Sequence, residues 1–492
     1  MATILACTPL LGKVVELSSS VVMMGEEDYF VRGNTSACTD MVDRAALETN
    51  SRLNFIPTLF WVDRTYKPGD STQTHSISYF CFHRSYNTDG TVSCQPAAQQ
   101  DVDIFEHSMK ACFRRAVEYN ISIEVSPRLQ HSSGHNVSSN SLDMNPLLEY
   151  EGFKYMDIML MPLAHAINGA VNNKTEVWLS LQGQMGMSLF KYPMEYMQAL
   201  GTTHLTLHDG LPHGWPHMLH LGVSLNFYKI CGCILTEVAD PNQYTELFPD
   251  AFKAVKHTLD FEVLHELFSR LDFISVAGLA PLSPGFSPGD LETTLQLFAK
   301  ELGEFGIRLH HLLSKQRMAL HWVDFGIGGL THDGRSAVTA ADAAQSAPFG
   351  VSGQYSQQSD PWSLHSVNSS ETPVRSFLSY FYENTAEYFW KQHAYKYEVD
   401  AAYLYNYGSW DVQGIHPNST SAEGSYQFAP VVNVIRYHNF RSQRLINLAL
   451  TLGEPGIKFL IESRELQHKE PVTFASREHT EGLQVIRHSR TF

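Results

Sequence analysis

His321-Trp322-Val323-Asp324-Phe325-Gly326-Ile327-Gly328-Gly329 is a short apolar run that delivers one carboxylate and then gives way to glycines. It predicts a buried strand with an acid at its carboxyl end. Aspartate is poorly suited to a strand interior and costly to bury without a partner. Its place where Met318-Ala319-Leu320 gives way to Gly326 and Gly328 therefore marks a strand mouth. Barrel proteins keep their chemistry at such mouths.

Outward from this run, short β-branched or apolar segments alternate with helical patterns, as in a parallel sheet wound by helices. Strands are predicted at Leu53 to Trp61, Ile121 to Val125, Glu176 to Leu181, Leu221 to Phe227, Phe273 to Ala277, Met318 to Val323 and Ala401 to Tyr405. An eighth is expected before residue 50, where Lys13-Val14-Val15-Glu16-Leu17 is the best fragment. Ser287-Pro288-Gly289-Asp290 supplies a cap hydroxyl, a first-turn proline and an acid three residues on, ahead of Leu291, Leu295, Phe298 and Leu302 at helical spacing. Further helices fit 103 to 119, 151 to 170, 257 to 271 and 373 to 393. Eight strands with outer helices read as a (β/α)8 TIM barrel over 51–440, with long loop insertions at 63–100, 126–150 and 328–372. Residues 1–50 form an N-terminal segment that carries the first strand, and 441–492 a C-terminal extension with a helix at Leu445 to Leu452. A doubly wound sheet is the alternative, but no Gly-x-Gly-x-x-Gly follows a first strand.

Composition narrows the partners. The 51 acidic against 35 basic residues, formally −16, disfavour a polyanion, and no basic run with interleaved aromatics suggests nucleic acid. Apolar runs are too short to cross a bilayer. Met1 to Leu11 is apolar but lacks a basic leader and a cleavage site, so no secretory signal is assigned. Cys81, Cys94 and Cys112 fall close together, and Asn34, Asn120, Asn136, Asn173, Asn368 and Asn418 each open an Asn-x-Ser/Thr sequon. Both features point to a secreted, disulfide-bonded glycoprotein. Seven cysteines leave at least one unpaired, and Cys231-Gly232-Cys233 reads as a pair of buried strand-end thiols.

The fourth strand ends in Leu181-Gln182-Gly183-Gln184-Met185-Gly186, the seventh in Asp324, and the eighth in Tyr405-Asn406-Tyr407-Gly408-Ser409-Trp410-Asp411. Across roughly 50 to 440 this organisation resembles the clan A glycoside hydrolases. In those retaining enzymes an acid/base glutamate ends strand four, a nucleophile glutamate ends strand seven in a Glu-Phe-Gly-like turn, and an aromatic floor ends strand eight. The resemblance implies a carbohydrate ligand, with Val323-Asp324-Phe325-Gly326 at the nucleophile turn and Gln184 at the acid/base position. Glutamine has no titratable proton to donate, and aspartate is one methylene shorter than glutamate. Both departures weaken catalysis. Asp411, or an inverting arrangement about Asp324, would be the routes to restored chemistry.

Aromatic faces stack on pyranose rings, which makes Trp410, Trp322, Trp61 and Tyr228 the expected sugar platforms. Asn226, Lys229, Asn406 and Asp411 are expected to supply polar contacts, each with loop anchoring as its plainer role. The polar loop from Arg128 to Asn140 is expected to lie at an early strand's mouth, as a solvated loop or the wall of a glycan cleft. His204, His208, His213, His217 and His220 invite a metal reading, but they precede strand five, at the amino-terminal face, and Pro212 and Pro216 break the helix. No metal or other cofactor is therefore expected. Two readings of function remain: a glycosidase acting on a β-linked glycan, and a catalytically impaired barrel that binds glycans or serves as a structural subunit.

Overall fold

A computed structural model describes residues 14–25, 36–48, 50–63, 75–86, 92–132, 139–209, 218–238, 240–327, 373–407, 410–417, 420–421, 424–425 and 428–446, all within the unit Gly12–Ile446. Eight strands form the barrel: β1 (Leu17–Met24), β2 (Arg52–Val62), β3 (Ser122–Val125), β4 (Val177–Gly183), β5 (Leu219–Asn226), β6 (Phe273–Ala277), β7 (Ala319–Phe325) and β8 (Ala401–Leu404). Each pairs in parallel with its successor, and β8 pairs with β1, so the sheet closes and leaves no free edge. Helices Ala37–Ala46, Gln99–Glu118, Met161–Asn168, Pro193–Asp209, Pro241–Val255, Phe261–Ser269, Thr293–Glu304 and Pro373–Trp390 occupy the crossovers. A helix over 429–446 follows β8.

The expected strands are present, and Phe273–Ala277 agrees to the residue. The first needs correction: it runs from Leu17 to Met24, beyond the fragment expected at 13 to 17. Leu17-Ser18-Ser19-Ser20 has low β-propensity, yet all three serines are buried. Ser19 donates from its backbone to Asn50 Oδ1 at 3.0 Å and from its hydroxyl to Gln413 Oε1 at 2.9 Å. The strand is stabilised by polar partners that no local apolar pattern announces.

At the Ser287 cap the structure follows the sequence. Ser287 donates from its backbone N–H and its hydroxyl to Asp290 Oδ2 at 2.6 and 2.9 Å, a 3-10 turn over Pro288–Glu292 leads into helix Thr293–Glu304, and Leu291, Leu295, Phe298 and Leu302 are fully buried. The helix expected at 445 to 452 begins inside the 429–446 helix and then leaves the described residues.

Six cysteines are paired, Cys38–Cys112, Cys81–Cys94 and Cys231–Cys233, while Cys7 lies outside the described residues. The last pair corrects the reading of Cys231 and Cys233 as free thiols. Gly232 adopts φ +61°, a left-handed turn that folds the chain back and brings the flanking Cα atoms to 5.2 Å. Among the described residues no helix is long and apolar enough to cross a membrane.

The barrel lumen is unusually polar. Glu124 on β3 accepts from Ser275 of β6 at 3.0 Å and pairs with His321 Nδ1 of β7 at 2.7 Å, both side chains of that pair being fully buried. Tyr403 of β8 is buried in the same lumen, and burial, then the Glu124 carboxylate, push its phenol well up, so it stays protonated. Strands this far apart in the sheet meet only across the lumen. At the amino-terminal end Arg52 pairs with Glu176 at 3.1 Å, and His220 stacks on Trp178 at 3.7 Å.

Candidate functional site at the barrel mouth

β4 and β7 end in the same unusual way. Register shifts fall between Ser180 and Gly183 in β4 and between Trp322 and Phe325 in β7, and the residues there with positive φ are not glycines: Gln184 at +60° and Asp324 at +54°. Left-handed backbone at a non-glycine residue is strained, and bulges re-aim side chains at strand ends. Both side chains turn over the mouth and meet. Gln184 Nε2 donates to Asp324 Oδ2, and Arg128 Nη2 donates to the same oxygen.

Arg128 arrives by an extension of β3. After Ser126-Pro127 the segment Arg128–His131 resumes pairing with β2 in unchanged register, Thr58 opposite Arg128 just as Phe55 is opposite Val125. Gly183 makes room for it, because a Cβ there would stand 2.6 Å from the Pro127 carbonyl oxygen and 3.1 Å from Arg128 Cγ. Burial works most strongly against the guanidinium charge, but Asp324 and Tyr405 together outweigh it and raise the Arg128 pKa above its ordinary value. The Tyr405 ring lies 5.3 Å from the guanidinium, and burial raises the Tyr405 phenol, which remains protonated.

The floor of the mouth is a small aromatic cluster of Val22, Ile56, Tyr405, Tyr407 and Trp410. Trp410 packs edge-on against Tyr405 at 5.4 Å, and a Cβ on Gly326 would stand 3.5 Å from its ring. The structure thus brings Asp324, Gln184 and Trp410 together, with Arg128 and Tyr405 added.

Other expected site residues sit elsewhere. Trp322 is fully buried under helix Pro373–Trp390, against Tyr388 and Phe389, with Nε1 donating to the Gly278 carbonyl at 2.7 Å. Trp61 is fully buried against His131 and His75. Asn406 accepts from the Ser20 backbone and donates to Asp411 and Gln413, while Asp411 caps its own turn through Ile415 and His416 N–H groups. These two are committed to holding the loop after β8. Asn226 ends β5 half-buried, and Tyr228 packs against Tyr244. His204 and His208 stack on an exposed helix face, His220 lies in β5, and His213 and His217 fall outside the described residues. Among the described residues no group of three side chains suited to a metal is present.

The loop after β5 buttresses the loop carrying Gln184. Asn140 receives the Gly186 N–H at 2.9 Å through Oδ1 and donates through Nδ2 to the Lys229 carbonyl. A Cβ at Gly186 would stand 1.8 Å from the Ile230 carbonyl oxygen. Gly186→Ala is therefore expected to cost about 1–3 kcal/mol or more in urea unfolding, since backbone rather than a yielding side chain must move. An unchanged midpoint would show that the two loops part freely.

Beneath that loop lies Glu301, whose Oε1 accepts from Ile230 N–H at 2.7 Å and Tyr244 hydroxyl at 3.0 Å. Burial pushes its carboxyl up to about 8 from an ordinary value of 4.5. The folded state then holds a proton that the unfolded chain has released, so this group's contribution is present at low pH and falls as pH rises towards 8. His131 and His438, which burial lowers to about 4, act oppositely below 6.5. Between pH 6.5 and 8 the parent is expected to lose stability by at most about 1.4 kcal/mol per pH unit from Glu301. Glu301→Gln should flatten that slope in urea titrations. Equal slopes in both proteins would refute the assignment.

The sequence matches no family model and no curated protein. Among solved structures, a GH113 β-1,4-mannanase is similar at TM-score 0.44 and 9% identity, over 87% of this chain and 99% of that one. A GH113 β-mannanase from Alicyclobacillus acidocaldarius gives 0.42 and 11%, over 88% and 98%, and a GH10 endoxylanase from a sugarcane soil metagenome 0.40 and 10%, over 88% and 99%. The barrel assignment rests on the closed strand order rather than on these likenesses. The chain is a (β/α)8 barrel, with Gln184 directly after its fourth strand and Asp324 near the end of its seventh.

Proposed function

We propose that the mouth binds a β-linked glycan and that its hydrolytic power is impaired. One observation carries this reading: Asp324 Oδ1 and Arg128 Nε are buried with no hydrogen-bond partner among the described residues, on side chains only 10% and 15% exposed. An acceptor and a donor left over on two paired side chains suit a hydroxyl, which is both. Tyr405 and Trp410 supply an aromatic floor beside them. The glycan class follows from the resemblance of strands four, seven and eight to the clan A pattern.

Hydrolysis by a retaining pair needs two carboxyl groups about 5 to 5.5 Å apart. Here Gln184 touches Asp324 directly and cannot donate a titratable proton. Asp411, the acid expected as an alternative, is held by its own loop. Secretion belongs to the same reading, supported by three disulfides and by sequons at the exposed Asn120 and Asn173.

Calorimetric titration with a panel of β-linked oligosaccharides tests the site. Asp324→Asn should weaken binding by about 1.5–3 kcal/mol, roughly 10- to 150-fold in Kd, because it removes a charged acceptor. If no member of the panel binds, or if the variant binds as the parent does, the reading fails.

A further inference from the structure

We propose that Cys231–Cys233 is a reversible thiol–disulfide exchange site, with a dithiol reductant as co-reactant, and that its state sets the rigidity of the barrel mouth. Three observations carry this. The bridge spans a sequence separation of 2, against 74 for Cys38–Cys112 and 13 for Cys81–Cys94. Loop-closure entropy rises with loop length, so this bridge restrains the unfolded chain least and gives the least stabilisation by that route. Its two cysteines are also unequally placed: Cys231 is fully buried and Cys233 is partly exposed, so Cys233 is the side open to an incoming thiolate.

The third observation is where the bridge sits. Residues 229–233 are the buttress of the Gln184 loop: Asn140 donates to the Lys229 carbonyl, Ile230 N–H is held by Glu301, and the Ile230 carbonyl lies against Gly186. A Cβ on Gly232 would stand 1.9 Å from the Asn140 carbonyl oxygen, so the turn enforced between the two cysteines is pressed directly against Asn140. Gly186 N–H closes the circuit on Asn140 Oδ1 at 2.9 Å. Cleaving the bridge removes the covalent constraint on that turn.

The exchange balances. A reductant thiolate attacks Cys233 Sγ, the S–S bond breaks, and Cys231 leaves as a thiolate that takes up a proton. The second reductant thiol then displaces Cys233 as a thiol, so the protein disulfide gains two electrons and two protons and the dithiol becomes a disulfide.

The test uses the full chain, titrated with dithiothreitol, alkylated and mapped by mass spectrometry, with amide hydrogen exchange read on the same samples. None of this requires a glycan, so the outcome is independent of the proposed function. Cys231 and Cys233 are expected to become alkylated at lower reductant than the other two bridges. In that selectively reduced protein, exchange at the Gly186, Ile230 and Gly232 amides should quicken by about tenfold or more. Cys231→Ser/Cys233→Ser should show the fast exchange without reductant and no further response to it. The proposal is overturned if both cysteines are alkylated before any reductant is added, if they are reduced no earlier than the other pairs, or if selective reduction leaves those three amides unchanged.

Discussion

Glu124→Ala is expected to cost about 3–5 kcal/mol of folding stability, a large share of what a domain of this kind possesses. Glu124 is the hub of the lumen, with Ser275 and His321 each hydrogen-bonded to one of its two oxygens. Deleting it leaves two buried polar groups, from β6 and β7, without their partner and opens a void among them. Glu124→Gln keeps the shape and one acceptor, so its cost should be clearly smaller. Urea unfolding with an unchanged m value measures both. A loss below about 1 kcal/mol for the alanine variant would mean that the lumen network contributes little net stability, as some buried ion pairs do.

Gln184→Glu is the substitution expected to change activity most. Placed against Asp324, a second carboxyl could not ionise freely beside the first, so one of the two would hold its proton into the neutral range. That is the condition a general acid needs, and general acid catalysis contributes about 10²- to 10⁴-fold. Release of nitrophenol from aryl β-glycosides should therefore rise by that order over the parent, and Gln184→Glu/Asp324→Asn should lose the gain. If the single variant binds oligosaccharides as the parent does but shows no gain, a missing proton donor is not what limits hydrolysis at the site.

Much of the barrel was readable from local pattern. β2 through β8 announce themselves because they are apolar or β-branched runs buried on the sheet's outer face against helices, and the Ser287 cap is legible because its hydrogen bonds to Asp290 span three residues. β1 was misplaced because its serines find partners in Asn50 and Gln413, far away in sequence. The aromatic residues divided for a similar reason. Trp322 and Trp61 carry the same composition signal as Trp410, but the side on which each strand residue points puts them behind the sheet, whereas Trp410 follows β8 and turns over the lumen.

Arg128 shows the limit most directly. It lies in a polar stretch after Pro127 and looks like one more loop cation. Only continued pairing of Arg128–His131 with β2, and the space left by Gly183, carry its guanidinium across the mouth to Asp324. A weak signal was present, since an acid at a buried strand end calls for a partner, but nothing local says which cation answers.

The amino-acid sequence by itself determined the strand count, their order, the parallel winding and the identity of the two residues at the fourth and seventh strand ends, because these depend on periodicity and on short-range punctuation. Tertiary structure alone decided that Gln184 and Asp324 touch, that Arg128 pairs with the acid, that Asn406 and Asp411 serve their own loop, and that Cys231 and Cys233 are joined. Closing the sheet brings together residues separated by 140 to 196 positions, and the left-handed backbone at both strand ends aims them at one another. Neither closure nor aim is written in any single window of the chain.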